Sequence, residues 1–269
     1  MNKLISEFRE LSRYASKHPE FVQGGGGNCS VKSNGKMIIK ASGYFLKDIS
    51  DTKGFVIINL KNKRVVKNKN LQPSLETAIH FLLGKYIIHT HPILIGAMVC
   101  SKEGKYLFRK LFHGNPYFWI KFARPGKNLA HVVRNTIKKH KIDINTNLVL
   151  FLENHGVFIS SDNKRECITL HQQIIKKLRG FFKPNLNNNP PNQGFNQNYY
   201  LTPDHIVYLS VSKKQLSRKN KRAITEINDF TNKVKRLIKS RKLQIQYLSK
   251  KDCEFIINMK EEKYRQRLK

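Results

Sequence analysis

The chain has 269 residues and a formal net charge of +33 at pH 7, from 51 Lys+Arg against 18 Asp+Glu. Apolar residues make up 39%, with 16 Phe and 10 Tyr, which is too much hydrophobic matter for a disordered chain and enough for one large domain or two small ones. Cys29, Cys100, Cys167 and Cys253 lie far apart without a C-x-x-C pair, so neither a disulfide framework nor a cysteine zinc knuckle is indicated, and a reducing cytoplasm fits best.

The opening run "MNKLISEFRELSRYASKH" spaces Leu4, Ile5, Phe8, Leu11 and Tyr14 along one helical face, unlike a signal peptide. In "VQGGGGNCSVKSNGKMIIKASGYFL" four glycines lead into a strand, an Asn-Gly turn that tolerates positive φ, and a second strand. "FVIINL" reads as a strand and "KNKRVVKNKN" as a hairpin with a polar loop. "PSLETAIHFLLGKY" reads as a short helix with Pro73 at an early position and an end near Gly84. The strand "KYIIHTHPI" follows, where period-two geometry points His89 and His91 to the same side. They form either one grip on an ion or two half-buried histidines.

Residues 94–112 read as mostly helical, "YFWIKFARPG" as extended into a turn, and "KNLAHVVRNTIKKH" as helical again. "NLVLFLENHGVFIS" reads as two strands interrupted at Asn154, His155 and Gly156, and "NKRECITLHQQIIKKLRGFF" as a helix. Residues 183–199 have the Pro, Asn and Gly content of a loop. Beyond them "HIVYLS" reads as a strand, about 213–240 as a basic helix, "LQIQYL" as a strand and the end as helix. Helices flanking a largely hairpin-connected sheet imply an α/β layered fold. The longest apolar stretches, such as "PILIGAMVC", fall short of the roughly 20 residues a membrane-spanning helix needs.

Residues 213–269 hold 19 Lys+Arg and 6 Asp+Glu, so the tail is denser in positive charge than the rest. Such a field attracts nucleic acid, anionic membrane or phosphorylated metabolites, while a codon bias toward Lys, Asn and Ile gives the same composition. The tail also has Ile224, Ile227, Val234, Leu237 and Ile238 at helical spacing, which fits amphipathic packing with a solvated basic face.

His155, presented at a sharp strand interruption, is the third candidate ligand. Three imidazoles and an open position suit a catalytic zinc, and nitrogen ligands also suit cobalt, nickel or iron. Glu76, near the start of its helix, is either the proton carrier that metal-assisted carbonyl chemistry needs or a carboxylate stabilising the helix N-terminus.

Taken together, "GGGGNCSVK", "IKASG", "PSLETAIH", "HTHP" and "ENHGVF" resemble, in order and spacing, the class II aldolase/adducin N-terminal domain family over about residues 5–210. That family includes zinc-dependent fuculose- and rhamnulose-phosphate aldolases; "RPGKNLA" and "LTPDHIVYL" are similar to a bacterial subgroup. The resemblance implies a largely antiparallel central sheet covered by helices on both faces, and a homotetramer with active sites near subunit interfaces. Residues 1–210 would form the family domain and 211–269 a basic, mainly helical extension packing on it. His89, His91 and His155 match the zinc ligands (or ligands of another divalent transition metal) and Glu76 the acid/base. Gly27, Asn28, Ser42, Gly43 and Ser74 match the phosphate-holding positions.

The expected activity is reversible aldol cleavage of a small, phosphorylated ketose through a metal-bound enediolate. Dehydration or 4-epimerisation on the same site, or a non-catalytic polyanion-binding module like adducin, are the alternatives. The expected partner is a sugar phosphate, with nucleic acid second and no membrane. Two departures stand out: Leu75 occupies the place of a second hydroxyl donor, and Gly25 that of another donor. The family's aromatic acid has no clear match, with Tyr199, Tyr200 and Tyr208 as candidates. Asp204 and His205 read as a turn-forming pair or as subgroup residues, His80 as a surface or core residue, and Cys29 as a small packing residue.

Overall fold

The computed structural model describes residues 1–112, 114, 116–184, 199–209 and 218–260. The expected loop at 185–198, the start of the basic helix at 213–217 and the expected helix at 261–269 lie outside the described residues.

Asn34 and Gly35 adopt φ of 48° and 67°, the left-handed pair a two-residue hairpin requires, and join β1 (Asn28–Ser33) to β2 (Lys36–Lys40). Hairpins continue outward to β3 (Phe55–Asn59) and β4 (Val65–Lys67). On its other side β1 pairs with β5 (Tyr86–Thr90), followed by β8 (Gly156–Ser161), β7 (Leu148–Leu152) and β6 (Tyr117–Ile120). The order is β4-β3-β2-β1-β5-β8-β7-β6, antiparallel throughout except for the β6/β7 pair.

Strand parity decides what each face carries. Val31, Phe55, Ile57, Tyr86, Ile88, Phe151 and Ile159 join a core with α1 (Asn2–Ala15), α3 (Ile93–Val99), α4 (Gly104–Leu111), α6 (Lys164–Phe182) and α8 (Arg218–Ser240). Ile87, Leu150 and Phe158 point the other way, under α2 (Thr77–Leu82) and α5 (Lys127–Lys139). Helices therefore cover both faces. A third cluster joins Phe45 to α7 (Pro203–Leu209), α8 and α9 (Lys250–Asn258). No helix among the described residues is long and apolar enough to cross a membrane.

Three local expectations fail for physical reasons. Within "HIVYLS", His205–Leu209 belong to helix α7, not a strand: Pro203 opens it, and the Thr202 hydroxyl accepts the His205 N–H at 3.3 Å as an N-cap. "LQIQYL" makes only an isolated bridge between Ile245 and Ser101, because its partner is the loop after α3 and not a sheet edge. Pro73 is not helical, since it bridges Ala41 in an extended segment, and α2 starts only at Thr77.

Behind β5, His171 of α6 is buried with Nδ1 2.9 Å from the Tyr14 hydroxyl and Nε2 3.0 Å from Thr90 Oγ1. Burial pushes His171 down to about 3, and it does the same to His80 and His205. Between pH 3 and about 6.5 the unfolded chain therefore binds protons that the fold refuses. Stability should be complete above pH 6.5 and fall as the solution is acidified, by about 1.4 kcal/mol per pH unit for each such histidine. Urea midpoints measured at several pH values would check this, and a flat profile from pH 7 to 5 would contradict it.

Candidate active site

The even-odd alternation that sends Ile88 to one core sends Ile87 and His89 to the α2/α5 face, and His91 follows just past the strand end. The β7–β8 turn brings His155 to the same point. Asn154 turns there at φ 51°, its side-chain amide donating to the Leu201 and Gln246 carbonyls and accepting from Gln246 Nε2. Gly156 is required next: a Cβ there would lie 2.4 Å from the Thr90 carbonyl and 2.7 Å from the His91 ring. The three predicted ligands are thus brought together, all buried, with one nitrogen from each within 4.8 Å of the others.

Their hydrogen bonds assign the nitrogens. His89 Nδ1 lies 2.9 Å from the Val157 carbonyl, which can only accept, and His91 Nδ1 lies 2.8 Å from Asp204 Oδ2. His89 Nδ1 therefore carries the proton, and its Nε2 faces His91 Nε2 at 2.9 Å and Glu76 Oε2 at 3.1 Å. Tetrahedral zinc would set its nitrogens about 3.3 Å apart, and three imidazoles oriented by carbonyl and carboxylate partners are a donor set that fits such an ion. Burial pushes His155 down to about 3, which keeps it neutral and able to ligate.

Asp204 was not among the predicted site residues, yet it lines the pocket and orients His91. Asp204→Asn removes the charge behind that imidazole. The expected result is metal affinity weaker by about 10–100-fold in chelator competition, with partial recovery in Asp204→Glu. Unchanged affinity would show that the carboxylate does not act on His91.

Glu76 sits at the N-cap of α2, buried. Its Oε2 accepts from Asn28 Nδ2 at 2.8 Å, while Oε1 lies 3.4 Å from His155 Nε2 and accepts no hydrogen bond among the described residues. Burial pushes the carboxyl up, but the imidazoles of His89, His155 and His91 outweigh it and hold Glu76 below the usual carboxylate range. Asn28 is itself positioned: His80 Nε2 donates to its Oδ1, and Ser30 Oγ lies 2.7 Å from His80 Nδ1. His80 is therefore a core residue that fixes the Asn28 amide.

Gly27, Asn28, Ser42, Gly43 and Ser74 all line the pocket with Glu76, His91 and His155, above the fully buried His89. Their donors are largely engaged, however. Asn28 Nδ2 serves Ser74 Oγ as well as Glu76, and Ser42 N–H goes to the Gln72 carbonyl. In the glycine run, the N–H groups of Gly24, Gly25 and Gly26 donate to Glu226, the Tyr208 hydroxyl and the Gln23 carbonyl. That of Gly27 has no acceptor among the described residues. Lys40, also missed from sequence, lines the pocket with Nζ donating to the Gly25 and Tyr44 carbonyls. Tyr199, Tyr200 and Tyr208 do not line it.

A protein of Bacillus subtilis (strain 168) named "Uncharacterized oxidoreductase YuxG" is 27% identical over 124 residues, 46% of this chain but only 17% of that protein. The N-terminal class II aldolase domain of a conserved protein from Thermoplasma acidophilum superposes with a TM-score of 0.56 at 26% identity, covering 66% of this chain and 92% of its own. An L-fuculose 1-phosphate aldolase shares the fold at 18% identity and a TM-score of 0.53, over 67% of this chain and 85% of its own. With residues 6–178 matching its family model and the histidine cluster lying within that span, the chain belongs to the class II aldolase and adducin N-terminal domain family.

Proposed function

We propose that the protein is a divalent-metal-dependent lyase, with zinc as the ion, that reversibly cleaves a small hydroxylated ketose by aldol chemistry. The observation that carries this reading is Glu76: a buried, ionised carboxylate with one oxygen free of hydrogen bonds among the described residues, facing three convergent imidazoles. His89, His91 and His155 would hold the ion, which when bound supplies a Lewis acid for a substrate oxygen. Asn28 pins Glu76 Oε2, so Oε1 is the atom that takes or returns the proton at the carbon next to the substrate carbonyl. Leu75 and Pro125 form the apolar side of the pocket wall.

A substrate phosphate or hydroxyl cluster would meet Gly27, Ser42, Gly43, Ser74 and the oriented Asn28. With three of the four glycine N–H groups already engaged, the grip on phosphate is weaker than an open glycine loop provides. We assign the protein to the cytoplasm, where its four buried free cysteines stay reduced, and to a homotetrameric state. Ketoses with and without a phosphate, presented to the metal-loaded protein, test the reaction. A three-carbon fragment supports aldol cleavage, loss of water supports a dehydratase and an inverted stereocentre an epimerase. Inertness toward every ketose, with no metal retained, would leave a binding module.

A further inference from the structure

Beside the histidine pocket opens a second cleft of about 890 Å³, and the two share Leu75 and Pro125 as a common wall. The inner pocket offers only about 40 Å³. At roughly 10–15 Å³ per water that is room for an ion and a few waters. Organic ligands occupy about 300–1,000 Å³, a range that includes the outer cleft. Most of any bound organic molecule must therefore lie outside the inner pocket.

The outer cleft has a definite chemistry. Leu75, Ala78, Phe255 and Met259 give it an apolar lining, and Leu75 stands where a sugar-phosphate aldolase is expected to carry a hydroxyl. Arg124, Lys127 and Lys251 face it against one carboxylate, Glu254. Arg124 Nε donates to Asp252 Oδ1 at 2.8 Å and its guanidinium lies 4.2 Å from the Phe255 ring centroid, so arginine and ring are held in place. Lys127 and Lys251 form no ion pair among the described residues. Two ammonium groups without an ion pair among the described residues thus border an apolar trough next to the site, while the glycine run spends most of its donors internally.

We propose that this outer cleft binds a small organic phosphate with an apolar stem, the stem on Leu75 and Phe255 and the anion at Lys127 and Lys251. Resting on the lyase reading, it assigns the enzyme a substrate whose far end is anionic and whose middle is less polar than a simple sugar.

Calorimetric titration with phenyl phosphate and with inorganic phosphate tests this on the full chain. Phenyl phosphate should bind about tenfold more tightly than inorganic phosphate, the difference coming from ring burial. Lys127→Ser combined with Lys251→Ser, both at exposed positions, should weaken phenyl phosphate about tenfold. Phe255→Ser should largely abolish the preference for the ring. Equal affinity for the two probes, or a double-lysine variant that binds like wild type, overturns the proposal. His155→Ala should bind phenyl phosphate as wild type does, so failure of the metal and lyase reading is scored separately by metal content and ketose turnover.

Discussion

His155→Ala is expected to leave the protein unable to retain the proposed divalent metal through dialysis. Three buried imidazoles converge on one point, and removing one leaves two ligands for an ion that needs at least three from protein. Protein zinc sites bind with apparent free energies of about 10–16 kcal/mol, so losing one of three ligands forfeits roughly 3–5 kcal/mol, or about 10²–10⁴ in affinity. Metal per chain, measured by atomic emission after dialysis against a weak chelator, should fall from near stoichiometric to under about a tenth. Catalysis should fall with it. Full occupancy in the variant would mean that the ion, if bound, sits elsewhere.

Glu76→Gln should give the opposite separation, with metal retained and turnover lost. The amide is nearly isosteric and its oxygen can still accept from Asn28 Nδ2, so the pocket keeps its shape. What disappears is the basic Oε1, and general acid–base groups of this kind contribute about 10²–10⁴ in rate. We expect kcat to drop by that factor with KM little altered. Turnover within a fewfold of wild type would remove Glu76 from the proton-transfer role.

Much of this site was legible because its decisive residues obey local rules. Period-two alternation places His89 and His91 on one side of a strand, and Asn34-Gly35 fixes the register of the β1/β2 hairpin. The Asn154-His155-Gly156 break marks the turn that delivers the third imidazole. Asp204 was not legible in the same way. A run of apolar residues suits a buried helix as well as a strand, and the signal that separates them was the Thr202 cap with Pro203 behind it. Read as part of a turn-forming pair ahead of the "HIVYLS" strand, Asp204 had no reason to aim at His91. Lys40 and the engagement of Asn28 with Glu76 depend on partners 15 and 48 residues away in sequence, which no local pattern encodes.

The placement of Asp204, Glu226 and Gln246 has a practical side for protein engineers. All three lie past residue 178, where the family match stops, yet they touch His91, Gly24 and Asn154 respectively. A boundary drawn at that border would cut α6, strip Phe230, Val234 and Ile238 from the core and leave the histidine site slack at three anchor points. Grafting this chemistry onto another backbone means transplanting the trailing helices as well.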